Sequence, residues 1–193
     1  MSVNLTKGQK VNLRKENSSD GIKKVMVGLG WDEPQEGTTK YDMDCDASAI
    51  LCKHGKLVDG KDVVFYNHLK HESGAVAHQG DNLSGGDGIA DDEQIFVDLS
   101  ALSSEYDKIV FVVTIYEAKK RNQHFGLIKN AFIRICDANT GNEFCKYDLA
   151  EDYQGKTGLI VGELVREGSE WKFTAIGQGT TDSGILDISK RFC

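Results

Sequence analysis

The feature that most constrains this chain is a succession of short apolar stretches, at residues 25–29, 47–52, 63–65, 95–99, 109–116, 131–135, 143–147, 159–165 and 171–176. Each alternates apolar with polar positions or runs continuously apolar, and none is long enough for a helix that buries a face. Turn residues punctuate them. Ala138-Asn139-Thr140-Gly141 and Glu167-Gly168-Ser169-Glu170 supply the Asn and Gly conformations that tight antiparallel connections need. Many short strands joined in this way predict a mainly β chain, with two antiparallel sheets packed as a β-sandwich. Helical periodicity fits only 117–128 and 185–192, so a few short accessory helices are expected. With one proline, Pro34, and no linker-like or low-complexity tract, residues 1–193 read as a single domain.

Charge is unevenly spread. The chain carries 23 Lys and Arg against 30 Asp and Glu, a formal net charge of −7. Residues 72–107 contain no Lys or Arg but nine acids: Glu72, Asp81, Asp87, Asp91, Asp92, Glu93, Asp98, Glu105 and Asp107. That segment alone makes the protein acidic, since the remainder holds 21 acids against 23 bases. Gly80, Gly85, Gly86 and Gly88 alternate with the acids, and apolar stretches flank them, so the segment reads as a tightly turning connection between strands. An acidic balance without a clustered basic face excludes a dedicated nucleic-acid binder.

The opening MSVNLTKGQK lacks a basic start and an apolar core, and the strongest apolar run, 109–113, is far short of the roughly 20 residues that span a bilayer. A cytoplasmic protein without direct membrane insertion is expected. The five cysteines, Cys45, Cys52, Cys136, Cys145 and Cys193, form no CxxC pair and no zinc-like spacing with histidine. Reduced thiols are therefore expected, with Cys52 and Cys136 as small buried hydrophobes and Cys193 exposed.

A second acidic cluster, Asp42, Asp44 and Asp46, precedes the stretch 47–52. In an extended chain these three carboxylates project from one face and repel one another, which calls for a cation or full hydration. Oxygen donors without a supporting His or Cys set favour Ca²⁺ or Mg²⁺, and a glycine-rich loop suits the larger ion. The cluster is not an EF-hand, because counting from Asp42 places Ala47 and Lys53 where Gly and Glu are required. The expected site is assembled from separate loops at one edge of the sandwich: Asp32, the entry at Asp42, Asp44 and Asp46, and the segment 80–93.

Phosphate-cradling, zincin and nucleophile-elbow motifs are absent. His54, His68, His71 and His124 read as surface residues; His78, three residues before Asp81, reads as a surface or strand-end residue, with orienting a carboxylate as the alternative. Trp31 and Trp171 adjoin apolar strand sequence and read as core anchors. Lys119-Lys120-Arg121 reads as a solvated helix face or a docking patch.

The ordered motifs Gly28-Leu29-Gly30-Trp31-Asp32, Asp46-Ala47-Ser48-Ala49, Val64-Phe65-Tyr66-Asn67, His78-Gln79-Gly80-Asp81-Asn82, Asp91-Asp92-Glu93, Asn130-Ala131-Phe132-Ile133-Arg134, Gly162-Glu163-Leu164, Glu170-Trp171-Lys172-Phe173 and Gly177-Gln178-Gly179 resemble the TerD domain family of tellurium-resistance and general stress proteins. The likeness runs essentially end to end. It implies a β-sandwich that binds calcium at two adjacent sites on one edge, has no established catalytic activity, and acts in tolerance of tellurite and other toxic agents. Carried over residue by residue, the family's metal positions fall on Asp32, Asp44, Asp46, Asp81, Asn82, Asp91, Asp92 and Glu93, with Asp87 standing for a further carboxylate. The implied partners are other stress or tellurium-resistance proteins, some of them membrane-associated.

The expected function is therefore that of a calcium-binding stress-response module, not an enzyme. Two other classes compete with it. A metal-dependent hydrolase would hold two ions about 3.5–4 Å apart on the same carboxylates, with His78 as its candidate acid or base. A small-ligand protein, with a cyclic nucleotide as one ligand found in the family, would need a phosphate-cradling loop that the sequence does not show.

Overall fold

The computed structural model describes residues 2–14, 21–32, 34, 39–80 and 91–193. Twelve strands are present among them. In chain order they are β1 (Val3–Leu5), β2 (Lys10–Asn12), β3 (Lys24–Asp32), β4 (Cys45–Lys53), β5 (Val63–Val64) and β6 (Val76–His78). The second half of the chain supplies β7 (Glu93–Asp98), β8 (Tyr106–Ile115), β9 (Lys129–Asp137), β10 (Glu143–Asp148), β11 (Gly158–Glu167) and β12 (Glu170–Thr180). One sheet has the order β1-β10-β9-β3-β7-β6 and the other β2-β12-β11-β8-β4-β5. Every pairing is antiparallel except β1 with β10. This is the expected β-sandwich.

Strand alternation builds the core. Val25, Val27, Leu29 and Trp31 of β3, Ile95 and Val97 of β7, and Ile133 and Ile135 of β9 face Cys45, Ala47, Ala49 and Leu51 of β4 and Ile109, Phe111, Val113 and Ile115 of β8. Both tryptophans sit in this core, as expected. The unbroken apolar run of β8 has a separate cause: Val110 and Val112 point the other way, where Ile185 and Ile188 of a C-terminal helix, residues Ile185–Ser189, cover them with Ile50, Cys52 and Ile160. A strand buried on both faces reads as continuously apolar.

All nine expected strands form. The three-residue strands β1, β2 and β6 are additions, and the helix expected over 117–128 shrinks to α1 (Ala118–Arg121) plus a 3-10 turn at Phe125–Leu127. The break falls at Asn122, whose φ of 53° leaves the helical region. Gln123 then drops into the core, and its amide donates to the Tyr41 and Asp42 carbonyls at 2.8 and 3.2 Å. The C-terminal helix, α2 (Ile185–Ser189), continues into a 3-10 turn at Lys190–Phe192.

His71 corrects an expectation. It is 2% exposed rather than at the surface. The Ser73 N–H donates to His71 Nδ1 at 3.2 Å, which leaves the proton on Nε2, 3.1 Å from Asp62 Oδ1; Tyr106 donates its hydroxyl to the same oxygen at 2.7 Å. The buried acid thus gathers donors from segments far apart in sequence. By contrast His54 is exposed.

The cysteines follow the same burial logic. Cys45, Cys52, Cys136 and Cys145 are buried and Cys193 is exposed, none of them in a disulfide. Burial pushes the Cys52 thiol up to about 11 and the Cys145 thiol up to about 12. A maleimide applied to native reduced protein near pH 7 is expected to label one site per chain, Cys193, and all five only after denaturation, as read by intact-mass spectrometry. Rapid native labelling of a second cysteine would contradict the packing.

Candidate functional site

The acidic residues meet because of strand register. β3 runs antiparallel to β7 with Leu29 opposite Glu93, so the end of β3 carrying Trp31 and Asp32 lies beside Asp91, Asp92 and Glu93. Across the sandwich β4 starts at this same end, where the Ala47 N–H donates to Glu93 Oε2 at 2.5 Å.

Glu93 shares strand parity with Ile95 and Val97 and therefore points between the sheets, its side chain fully buried. Burying a carboxylate is costly unless donors meet it. Besides Ala47, it has His78 Nε2 at 3.3 Å, on a ring that is also fully buried. Gly80 donates its N–H to His78 Nδ1 at 3.1 Å, which assigns the ring proton to Nε2, the atom facing Glu93.

Asp92 is tied to β3 twice. Its Oδ2 accepts the Trp31 N–H at 2.8 Å, and its own N–H donates to the Leu29 carbonyl at 2.8 Å. Asp91 turns to the outer face of the sheet, where its carboxylate accepts from Arg134 Nε at 2.7 Å, Arg134 Nη2 at 2.9 Å and Gln94 Nε2 at 3.0 Å. Gly28 lies between Arg134 and Gln94 in register, and a Cβ there would sit 2.2 Å from Asp91 Oδ1. The missing side chain makes the space for the ion pair, which raises the Arg134 pKa through its hydrogen bond to Asp91.

The remaining acids surround this pair of strands. Asp32 accepts from Asn130 Nδ2 at 2.5 Å. Asp44 has Oδ2 3.9 Å from Arg121 Nη1, and its carbonyl accepts the Tyr116 N–H at 2.8 Å. Asp46 alternates away from Cys45 and Ala47 onto the outer face of its sheet, where with Tyr66, Thr114, Tyr116 and α2 it lines a cavity of about 540 Å³. Cys45 lies among them: burial, then the charges of Asp46, Glu93, Asp44 and Asp92, in that order, push its thiol well above the ordinary range.

Asp32, Asp44, Asp46, Asp91, Asp92 and Glu93 thus come to one end of the sandwich, although Asp46 and Asp91 face outward from opposite sheets. Asp81, Asn82 and Asp87 lie outside the described residues, and Asp42 is exposed. Among the described residues, no three His, Cys, Asp or Glu side chains converge closely enough to hold an ion. Sequence reasoning missed Gly28, Arg134 and the Ala47 N–H. The strand parity of Glu93 was the available signal for its inward direction.

Two sheets closing over this acid-rich end define the class, an acid-ended β-sandwich. The chain belongs to the TerD domain family, whose model matches residues 1–192. It is 47% identical over 193 residues to the tellurium resistance protein TerD of Serratia marcescens, covering 100% of this chain and 97% of that one. It is also 44% identical over 201 residues to the stress response protein SCP2 of Bacillus subtilis strain 168, covering 100% of both. Among solved structures, the protein SAV2460, titled as being of unknown function, superposes with a TM-score of 0.68 at 26% identity, over 86% of this chain and 94% of that one. A homologue of the telluride resistance protein TerD, SCO6318 from Streptomyces coelicolor A3(2), shares the fold with a TM-score of 0.68 at 22% identity, over 86% and 95%. No helix among the described residues is long and apolar enough to cross a membrane.

The close approach at Gly28 gives a direct test. Gly28→Ala must displace a buried carboxylate from its arginine, so it is expected to cost about 3 kcal/mol. For a chain of this size that lowers Tm by about 6–12 °C. A thermal melt within about 1 °C of the parent would show that the Asp91 to Arg134 pair does not depend on this glycine.

Proposed function

We propose that this chain is a calcium-binding stress-response module, in which ions held at the acidic end order the adjoining loops into a surface for partner proteins. The observation that carries the reading is electrostatic. Asp44, Asp46, Asp92 and Glu93, at strand starts in two different sheets, all lie within Coulombic reach of one buried thiol, that of Cys45. Of these four, Asp44 has Arg121 at 3.9 Å, while Arg134 pairs with the neighbouring Asp91. The donors are hard oxygens, which suit Ca²⁺ and its tolerance of irregular geometry.

Asp32, Asp44, Asp46, Asp92 and Glu93 supply the frame, and Asp81, Asn82 and Asp87 are proposed to complete it. The segment that carries those three leaves from Gly80, bonded to His78, and returns at Asp91 and Asp92, bonded to Arg134 and Trp31. Both of its ends are therefore fixed at the acid-rich end. Membership of a family with tellurium-resistance and general stress proteins supports a cytoplasmic role beside other stress-response proteins. The proposed role is binding rather than catalysis: His78, the histidine nearest the acids, faces Glu93 and Gly80 from a fully buried position.

Calorimetry on chelator-stripped protein tests this reading. Ca²⁺ is expected to bind more tightly than Mg²⁺, with Asp81→Ala weakening binding strongly and Glu105→Ala, outside the site, changing little. Free Ca²⁺ at a hundred times Kd should add about 2.7 kcal/mol per site to stability. In a chain of this size that is a rise in Tm of about 5–11 °C, reversed by chelator. A melting curve indifferent to both calcium and chelator would overturn the proposal.

A further inference from the structure

Beside the acidic end lies a cavity of opposite character, about 530 Å³, lined by Lys40, Tyr41, Lys120, Arg121, Asn122 and His124 among others. Among its described lining residues three are cations and none is a carboxylate. The sequence concentrates Lys119-Lys120-Arg121 on α1, and the fold brings Lys40 and Tyr41 to meet two of the three.

Among the described residues, the cations are only partly neutralised. Lys40 makes no ion pair among the described residues; its ammonium lies 5.3 Å from the centre of the Tyr41 ring, and the Arg121 guanidinium lies 5.9 Å from the same ring. Among the described residues, Arg121 lies 3.8 Å from Glu117 and 3.9 Å from Asp44. Lys120 alone is closely paired, at 2.9 Å to both oxygens of Glu117.

His124 lines the same cavity. The Gln154 amide sits 3.4 Å from His124 Nε2 and donates to it, which places the ring proton on Nδ1. His124 Nδ1 is buried and has no hydrogen-bond partner among the described residues.

We propose that this cavity binds a small phosphate-type oxyanion, either free or as the phosphate group of a small metabolite. A planar guanidinium fork and two ammonium groups match an acceptor with several oxygens better than a single carboxylate does. The volume leaves room for more than one phosphate, and the Tyr41 ring provides a face for a ligand body.

The test is titration calorimetry on EDTA-treated protein, so that its outcome is independent of calcium binding. The probes are inorganic phosphate, pyrophosphate and ribose 5-phosphate. Saturable binding that salt weakens is expected for at least one of them. Preference for the ester would identify a phosphorylated metabolite as the ligand, and equal or better binding of the inorganic ions would identify free phosphate species. The double variant Lys40→Ala/Lys120→Ala, changing two exposed side chains, should weaken binding about tenfold or more, a loss of about 1.4 kcal/mol. Lys119 lies on the same helix but bonds Ser183 outside the cavity, so Lys119→Ala should shift affinity less than about twofold. Arg121→Lys, which keeps the charge and loses the fork, should weaken binding, and the His124 ring resonances should move on titration of the parent protein. No saturable binding of any probe at millimolar concentration, or equal weakening by Lys119→Ala and the double variant, would overturn the proposal.

Discussion

Placing the Glu93 carboxylate between two apolar sheets costs several kcal/mol unless polar partners meet it there, and they come from two directions: the Ala47 N–H of β4, which donates to it, and the His78 ring of β6, whose Nε2 lies 3.3 Å away. Since β4 and β7 belong to different sheets, this contact works only when the start of β4 is level with the start of β7. The register within each sheet is already fixed, by Leu29 opposite Glu93 in one and by Ala47 opposite Val113 in the other. One buried acid therefore aligns the two sheets at the end where the other acids collect. His78 passes the constraint on, because its second nitrogen accepts the Gly80 N–H and so sets where the acidic segment begins.

The three consecutive acids at the start of β7 have three different fates, and strand geometry decides them. Glu93 points inward, where it accepts a backbone N–H and faces a histidine. Asp92 bonds the backbone of β3. Asp91 crosses over Gly28 to Arg134 on the outer face, with Gln94 on its other side. The same principle operates around Asp62, whose carboxylate collects Tyr106 and His71 in a second buried network. An acid is admitted to the interior only where the fold has brought donors to it.

Much of this was legible in the sequence, for a physical reason: sandwich strands are short, alternate cleanly and end in turn residues, so nine of them announce themselves. The strands β1, β2 and β6 do not, because three residues are too few to show a period. The helix over 117–128 was overestimated because its apolar positions at 125, 127 and 128 belong to a separate 3-10 turn beyond Asn122. At the acidic end, the gathering of carboxylates was visible as a run of charge, but their individual directions were not. Arg134 lies 43 residues from Asp91, and Ala47 contributes a backbone N–H that has no side-chain signature. His71 was misread for the same reason, since nothing in the local sequence ties it to Tyr106, 35 residues away.

The thiol at the centre of the acidic end bears on which cations this arrangement suits. Soft metals such as Zn²⁺ gain most of their affinity from thiolate, and a thiol must lose its proton to become one. Cys45 is fully buried on the core face, and burial together with Asp46, Glu93, Asp44 and Asp92 raises the cost of that deprotonation. Burial first, and then these acids, thus hold the Cys45 thiol in its protonated state. On the proposed calcium-binding reading, a hard divalent cation would need no such proton loss from Cys45 and would draw on carboxylate oxygens, so burial and charge together would weigh against a soft metal.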